Sequence, residues 1–456
     1  MAQGESVRRK GSLMTEGSIP GHIFSFAMPL LLGNLFQQFY SAVDSAIVGR
    51  FVGKEALAAV GSSTSLIFLI VSLFMGIAIG GSVCVSQYYG AGDDEGVHHA
   101  VHTIFAFSLA AGSAMSVLGI FLSRFLLRLM GTPTDVIGLS SLYFSIFFGG
   151  SLALVFYNMG SGLLRAIGDS RRPMIYLIIS TVSNIILDLL FVAVFKWGIA
   201  GAALATVVSE ALSAVLVIRV LMKTTESYKV ILKDIRFYKR QLKNIVQVGL
   251  PSGIQNSVVS LSNVVVQSSI NAFGTIAVAG CGAYMKIDGF VLLPAMSFSM
   301  ALTTFVGQNI GAGKHDRVRQ GLKAGTLMSL GTSLIIILIL QFATRPLLSI
   351  FSSDPEVVDV GMMMMHVVSV GYLMVAASHA LAGVLRGAGL TKVPMFVMIG
   401  CWCILRMTWI LAVARPLGSL KLVLAGYPIT WAASMILILI YLKKADWINY
   451  YERSLK

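Results

Sequence analysis

Twelve long apolar runs dominate the chain and leave few folds open to it outside a membrane. They lie at 22–48, 57–86, 100–122, 136–161, 173–195, 199–221, 244–272, 277–307, 320–341, 357–384, 394–414 and 419–442. About 20 apolar residues suffice for a helix to cross a bilayer, and several runs are longer, which predicts tilted helices. The runs do not alternate with a period of two, so a β-barrel is disfavoured. We therefore predict an all-α polytopic membrane protein with 12 transmembrane helices.

The composition supports the same fold class. Of the 456 residues, 56% are hydrophobic and only 12% are Asp, Glu, Lys or Arg, against about 25% charged residues in a typical soluble domain. Too few polar groups remain to cover the surface of a soluble protein. This excludes an ordinary cytosolic enzyme, a disordered protein and a collagen-like fibre.

The basic residues indicate the orientation in the membrane. The net charge is +14, and 24 of the 34 Lys and Arg residues lie on the side of the spans that holds both termini, against 8 on the other side. Because positive charge collects in cytoplasmic loops, we expect a multi-pass protein of the inner or plasma membrane with both termini in the cytoplasm. Anionic lipid head groups account for the basic charge. No basic-aromatic groove or zinc-finger spacing points to nucleic acid.

The second half of the chain repeats the first at a constant offset of 221 residues. QYYGAG at 87–92 matches QNIGAG at 308–313, and at the same offset GLLRAIG at 162–168 matches GVLRGAG at 383–389. Six runs in each half mean that both repeats start on the same side of the membrane. The repeats are therefore predicted to form two six-helix bundles related by a pseudo-twofold axis along the membrane normal, with a substrate site between them.

The repeat also predicts the domain organisation. We expect a cytoplasmic N-terminal tail (1–21), an N-lobe with six spans (22–221), a cytoplasmic linker (222–243), a C-lobe with six spans (244–442) and a cytoplasmic C-terminal tail (443–456). The N-terminal tail enters the first span without a small-residue cleavage site, so we expect no signal peptide. The linker is basic and amphipathic, which suits a segment that lies on the membrane surface.

Acidic residues inside spans are costly and are functional candidates by default. They are Asp44, Asp188, Glu210 and Asp288. Counted from the basic residues at the ends of their spans, Asp44, Asp188 and Thr206 lie about 9–15 Å below the outer boundary. Asn184 is one turn from Asp188 on the same helix face. Hard oxygen ligands at one depth suit Na⁺, and two adjacent carboxylates equally suit one shared proton, because they repel each other when both are charged. A structural hydrogen-bond cluster is the third interpretation.

These motifs resemble the multidrug and toxic compound extrusion (MATE) family over roughly residues 20–445. The resemblance rests on both glycine motifs, LLRAIGDSRRP at 163–173, NIILDLLFVAVFKWGIAGAALAT at 184–206 and YSAVDSAIVG at 40–49. The last of these looks like the DinF-like prokaryotic branch. In that branch an acid of span one, an Asn and an Asp of span five and a Thr of span six form a cation site. The resemblance implies this role for Asp44, Asn184, Asp188 and Thr206. Glu210, one turn from Thr206, is either a second proton site or paired with a neighbour.

A polar stripe on span one predicts a cavity. Gly33, Gln37, Tyr40 and Asp44 recur at steps of 4, 3 and 4, which places them on one helix face. An amide, a phenol and an acid are expected to face a cavity rather than lipid. Pro29 removes a backbone hydrogen bond early in the same helix and predicts a hinge. Further candidate cavity or substrate residues are Tyr143, Asn158, Asn263, Gln267, Asp288 and His379. For His379, ordinary packing is the alternative.

The two halves differ in charge. Span seven has no acidic residue between 244 and 272, and Trp409 stands where the repeat would place the counterpart of Asp188. We therefore predict an ion site in the first lobe and a polar or substrate wall in the second. The roles of Lys286 and Arg406 stay open.

Together with the resemblance, these features predict a secondary antiporter that exports organic, often cationic or amphipathic, compounds in exchange for Na⁺ or H⁺ by alternating access. No GxxxxGK[ST] loop is present, so an ion gradient or a partner must supply the energy. We expect no cofactor, no metal other than Na⁺ at the ion-binding residues, and a monomer that binds small molecules and lipid. A lipid-linked precursor flippase of the same superfamily is the alternative. The sequence lacks HExxH and a complete nucleophile set for a membrane enzyme, and two diverged halves disfavour a channel.

Overall fold

The protein is all-helical in a computed structural model that describes residues 13–130, 132 and 136–450. Helices make up 86% of the structure, and the described residues contain no strand. The first repeat comprises α1 (Ile19–Phe51), α2 (Lys54–Ala91), α3 (Asp94–Leu129), α4 (Ile137–Gly149 and Ser151–Ala166), α5 (Arg171–Asp188, extended by a π-helix over Leu189–Val194) and α6 (Gly198–Lys223). The second comprises α7 (Lys239–Asn271), α8 (Thr275–Gly311), α9 (His315–Phe351), α10 (Pro355–Ser369 and Tyr372–Gly387), α11 (Lys392–Met398, continuing with π turns to Ala414) and α12 (Leu420–Lys444). The predicted fold class is confirmed.

The spans follow the predicted repeat closely. Nine helices within the described ranges are long and apolar enough to cross a bilayer, and α4 and α10 add two spans, each bent by 50°. The bends fall at Gly150 and Gly371, which are counterparts at the offset that relates the two halves. The remaining helix, α7, begins with basic residues and is less apolar than the others. It carries a neutral polar stripe of Asn256, Ser260, Asn263 and Gln267, at steps of 4, 3 and 4.

Helix α2 of the first repeat crosses α7 of the second with almost no side chain between the two backbones. The pairs Gly76/Gly80 on α2 and Gly249/Gly253 on α7 both have GxxxG spacing. A Cβ atom added to Gly76 would lie 2.1 Å from the backbone nitrogen of Gly253, and one added to Gly80 would lie 2.6 Å from the Cα atom of Gly249. Because small residues allow close helix approach in lipid, this crossing is a main contact between the repeats.

The first helix belongs to the hydrophobic cores of both repeats. Buried apolar residues of 19–30 pack in the core of the second repeat, whereas Ile47 and Val48 pack with α5 and α6 of the first. Pro29 is buried where α1 passes from one core to the other, and the helix continues through it. Bending at Pro29 therefore stays a prediction, placed at a mechanically suitable point.

Several helices extend beyond the predicted apolar runs. The backbone nitrogen of Gly21 donates to Ser18 Oγ at 3.3 Å, and α1 begins at Ile19 rather than at residue 22. The seventh helix begins at Lys239 rather than at residue 244. These end turns are polar, so hydropathy misses them, although their backbone hydrogen bonding is helical.

The segment between α6 and α7 packs on the start of α3. The backbone nitrogen of Ile231 donates to His102 Nε2 at 2.9 Å, and that of Tyr238 donates to Thr103 Oγ1 at 3.2 Å. These contacts hold the connection between the repeats against one end of the first bundle. The predicted domain boundaries themselves rest on the sequence.

Candidate functional site

A cavity of 360 Å³ lies in the first repeat and is lined by residues of α1, α2, α4, α5 and α6. Seven of the predicted residues line it: Gln37, Tyr40, Asp44, Tyr143, Asn158, Asn184 and Thr206. The stripe on α1 faces it because its residues recur at steps of 3 and 4 along one helix face. Serine hydroxyls and apolar side chains make up most of the remaining wall. The site is therefore a cavity with many polar groups within one bundle, and it is open enough that Gln37 is exposed.

The carboxyl groups of Asp44 and Asp188 meet beside this cavity. Asp44 is 9% exposed and Asp188 is 0% exposed, and the two groups lie within hydrogen-bonding distance of each other. Two carboxyl groups bond in this way only when at least one is protonated, because two carboxylates repel each other. Neither Oδ1 atom accepts a hydrogen bond from another described residue. The pair therefore needs a proton or a cation to balance its charge.

Asn184 and Thr206 complete the surroundings of the acid pair. With the Asn184 amide oriented to satisfy both of its ends, Nδ2 donates to Asp188 Oδ2 at 2.8 Å and Oδ1 accepts from the backbone nitrogen of Thr206 at 3.1 Å. The Thr206 hydroxyl donates to the carbonyl of Ala202 at 3.1 Å and lies 3.3 Å from the Tyr40 hydroxyl. The structure thus brings together the acids, the amide and the hydroxyl that the sequence placed at one depth.

Glu210 adds a third acid to the same cavity. It lines the cavity one turn along α6 from Thr206 and takes part in none of the ion pairs found between described residues. Asn158 also lines the cavity, and its Nδ2 donates to the carbonyl of Leu154 on its own helix at 2.9 Å. Glu210 therefore has no basic partner among the described residues. Its role as a second proton site stays a prediction.

A separate polar cluster occupies the core of the second repeat. Asp288 on α8 accepts a hydrogen bond from the Tyr372 hydroxyl on α10, which lies 2.7 Å from the Tyr284 hydroxyl. Arg406 on α11 is 2% exposed, and its guanidinium lies 4.5 Å from the ring centre of Tyr427. Asp288 is thus bound by one phenol, which a second phenol contacts, and Arg406 contacts an aromatic face in a cation–π arrangement.

The other candidates of the second repeat also lie apart from the cavity. Gln267 donates to Asn271 Oδ1 on its own helix at 2.9 Å, and Asn263 is exposed on α7. The His379 ring packs edge-on against Trp402, with 5.6 Å between the ring centroids. The structure therefore separates these three side chains from the acid pair, and a role in binding substrate stays a prediction.

Reciprocal hydrogen bonds join the repeats at the face that holds both described chain ends, which we call the termini face. Gln87 Nε2 donates to the carbonyl of Gly387 at 3.0 Å, and Gln308 Nε2 donates to the carbonyl of Ala166 at 2.8 Å. The two bonds are equivalent, because Gln87 corresponds to Gln308 and Ala166 to Gly387 at the 221-residue offset between the halves. A twofold relation between the halves requires such reciprocity. The repeated glutamine and glycine motifs therefore close the molecule at this face.

The segment before α1 adds further contacts to the same closure. The backbone nitrogen of Met14 donates to Gln308 Oε1 at 2.9 Å. Lys314 Nζ donates to the carbonyl of Thr15, and Arg317 Nη1 to that of Gly17, both at 3.0 Å. The sequence predicts only a tail here. Hydrogen bonds to backbone carbonyls leave no pattern of residue types that could reveal these contacts.

Comparison with known proteins finds the same repeat. The MatE family model matches residues 29–190 and 251–411. Shifting the first range by the 221-residue offset of the repeat gives 250–411, which agrees with the second range to within one residue. A Bacillus subtilis protein named "Probable multidrug resistance protein YoeA" is 32% identical over 423 residues, which cover 91% of this chain and 91% of that protein. A Thermotoga maritima protein named "Probable multidrug resistance protein NorM" is 26% identical over 388 residues, which cover 83% of this chain and 82% of the relative.

A solved structure has the same architecture. It is described as the outward-facing conformation of a multidrug resistance MATE family transporter of the MOP superfamily. The match has a TM-score of 0.88 and 22% identity, and covers 98% of this chain and 99% of that one. At this identity the likeness establishes the fold, and the predicted arrangement of two six-helix bundles is confirmed. The paired family matches and the similarity to YoeA along nine-tenths of the sequence show that the chain belongs to the MatE family of multidrug and toxic compound extrusion (MATE) transporters.

Proposed function

We propose that this protein is a secondary active antiporter that exports organic, often cationic or amphipathic, compounds in exchange for Na⁺ or H⁺. Relatives named as multidrug resistance proteins support the substrate class. The contact between Asp44 and Asp188 carries the coupling proposal. Two buried carboxyl groups that have no basic partner among the described residues need a proton or a cation, and an ion gradient supplies one on each transport cycle.

Alternating access gives this ion a mechanical effect. Binding of the ion at Asp44 removes the repulsion between Asp44 and Asp188. It thereby changes the free energy of a bent α1 relative to a straight α1. Pro29, which lies between the two hydrophobic cores, is where we propose that α1 bends. Bending would alter the wall that Gln37 and Tyr40 provide. Ion and exported compound then compete through the shape of the cavity rather than through direct contact.

The proposed orientation places the protein in the inner or plasma membrane with the termini face in the cytoplasm. The excess of Lys and Arg on that side supports this orientation. The hydrogen bonds of Gln87 and Gln308 close this face. A compound in the cavity would then leave toward the opposite side of the membrane, which is the direction of export.

Separate ion gradients test the proposal directly. Purified protein in proteoliposomes would receive a Na⁺ gradient or a pH gradient, one at a time, with a panel of cationic and neutral fluorescent dyes. The closeness of the two carboxyl groups supports H⁺, whereas carboxylate, amide and hydroxyl oxygens are also suitable ligands for Na⁺. We expect efflux with at least one gradient and none when both are collapsed. Folded protein that moves no dye under either gradient would refute antiport of these compounds.

Replacing Asp288 with Asn should change the range or affinity of substrates more than ion coupling. This carboxyl group lies in the phenol cluster of the second repeat, apart from the acid pair. A hydrogen bond to a charged group contributes about 1.5–3 kcal/mol, so the KM for some cationic dyes should rise about tenfold or more.

The dependence of that variant on the driving gradient should match the wild-type protein. Asp359→Asn is the matched control, because it removes an exposed carboxylate 3.4 Å from Arg345, and its KM values should not change. Loss of gradient dependence in Asp288→Asn, with unchanged KM values, would place the coupling ion in the second repeat instead.

A further inference from the structure

A second cavity lies at the closed termini face, between the repeats and beside the Gln87 hydrogen bond that joins them. It measures 490 Å³ and is lined by Gln87 and Tyr88 of α2, by the first turns of α7, and by the connection from α10 to α11. Among the residues that the structure describes, its charged lining residues are cations: Arg240, Lys243 and Lys392. None of the three takes part in an ion pair in the ranges that the structure describes. The cavity is concave, polar and positively charged, and it is separate from the acid pair.

The internal repeat supplies a comparison for this charge. Residues 388–390 and 392 line the cavity, and their counterparts 167–169 and 171 line a cavity of 340 Å³ in the first repeat. In that smaller cavity Asp169 forms an ion pair with Arg172 at 3.2 Å. The counterpart of Asp169 in the second repeat is Leu390. The first repeat therefore places a carboxylate among its basic residues, and the second leaves the corresponding position without one.

The start of α7 presents its polar side chains together. Arg240, Lys243, Asn244 and Gln247 recur at steps of 3, 1 and 3, so they share one helix face. Asn244 Nδ2 donates to the Tyr88 hydroxyl at 3.2 Å, which holds this face against α2. Basic side chains and amide donors around one space bind phosphate oxygens through charge-assisted hydrogen bonds. The same charge repels the organic cations proposed for export.

We propose that this cavity binds a phosphate-bearing anion and that the bound anion stabilises the closed termini face. Basic pockets between transmembrane helices bind phospholipid head groups, and a free phosphate compound has the same recognising chemistry. Gln87 lines the cavity and also donates to the carbonyl of Gly387 across the repeats. Because both repeats supply its walls, the complete site exists only while this face is closed. A ligand shifts a conformational equilibrium toward the state that it binds more tightly.

The test compares the wild-type protein with the triple variant R240Q/K243Q/K392Q. A control variant, K223Q/K443Q/K444Q, removes the same charge from exposed lysines outside the cavity. Native mass spectrometry would measure binding of phosphatidylglycerol and phosphatidylcholine to purified full-length protein. We expect the wild-type protein and the control to prefer phosphatidylglycerol about tenfold or more, and the cavity variant to lose that preference.

Inorganic phosphate distinguishes the two sources of the anion. Thermal stabilisation by millimolar phosphate, absent in R240Q/K243Q/K392Q, would identify a free phosphate compound as a sufficient ligand. Selective phosphatidylglycerol binding without a phosphate effect would identify the lipid head group. Spin labels at Glu226 and Lys444 should report a larger closed population when the anion is bound to the wild-type protein. Equal behaviour of the cavity and control variants, or no anion preference in the wild-type protein, would overturn the proposal whatever compound the protein exports.

Discussion

Asp44→Asn and Asp188→Asn should each abolish gradient-driven efflux while the protein still folds and inserts. Each carboxyl group is the other's hydrogen-bonding neighbour in a buried site. With one group replaced by a neutral amide, the pair can neither share a proton nor supply two charges to a cation, so ion binding no longer biases the conformational equilibrium. We expect efflux rates to fall by about 100-fold or more, to the leak of protein-free liposomes, in the assay with separate Na⁺ and pH gradients.

The amount of folded protein has to be measured in the same preparations. An amide in place of a buried carboxyl group needs no charge compensation, so thermal stability should be equal to or above that of the wild-type protein. Asp359→Asn, on the exposed surface beside Arg345, serves as the carboxylate-removal control and should transport normally. Efflux near the wild-type rate in both first-repeat variants, at every pH and Na⁺ concentration, would show that coupling occurs elsewhere even though the fold is correct.

The fold was predictable because a bilayer removes most alternatives. Backbone groups in lipid need internal hydrogen bonds, so long apolar runs must form helices, and a constant offset relates the two halves. The ends of the helices were less predictable. The cap at Ser18 and the first turn at Lys239 lie in polar sequence, where hydropathy carries no information about backbone hydrogen bonding.

The acid site was predictable for a different reason. Depth along a helix can be counted from the sequence, and Asp44, Asp188 and Thr206 lie at similar depth. The resemblance to the MATE family added the choice of partners. The structure places these residues together with Asn184, while ion binding itself stays a proposal.

Helix rotation could not be read in the same way. Asn263 and Gln267 recur like the stripe of α1 and were predicted for a polar or substrate wall in the second lobe. Neither lines the cavity of the first repeat, and their role in the second stays a prediction. Helix rotation in a membrane depends on packing against neighbours. The close approach of Gly249 and Gly253 to α2 turns the face of α7 that carries these glycines toward the other repeat. The spacing of polar residues does not contain this information.

Adding a methyl group at Gly90 or Gly311 should open the termini face. A Cβ atom on Gly90 would lie 2.0 Å from the carbonyl oxygen of Gln308, and one on Gly311 would lie 2.0 Å from that of Gln87. Both partners are backbone atoms, so relief of the clash requires the repeats to separate where the reciprocal glutamine hydrogen bonds hold them. Overpacking costs about 1–3 kcal/mol, which shifts the closed-to-open equilibrium about 5- to 150-fold.

Pulsed electron paramagnetic resonance would measure this opening with spin labels at Glu226 and Lys444, one in the segment after the first repeat and one at the end of the second. Gly90→Ala and Gly311→Ala should both lengthen the distance between the labels. Gly331→Ala is the matched control, because an added Cβ atom there meets nothing within 4 Å, and its distances should equal those of the wild-type protein. Since the two close contacts are related by the repeat, the two substitutions should act alike. A change at only one of them would mean that the closure is not reciprocal, and no change at either would mean that these glycines do not hold the face closed.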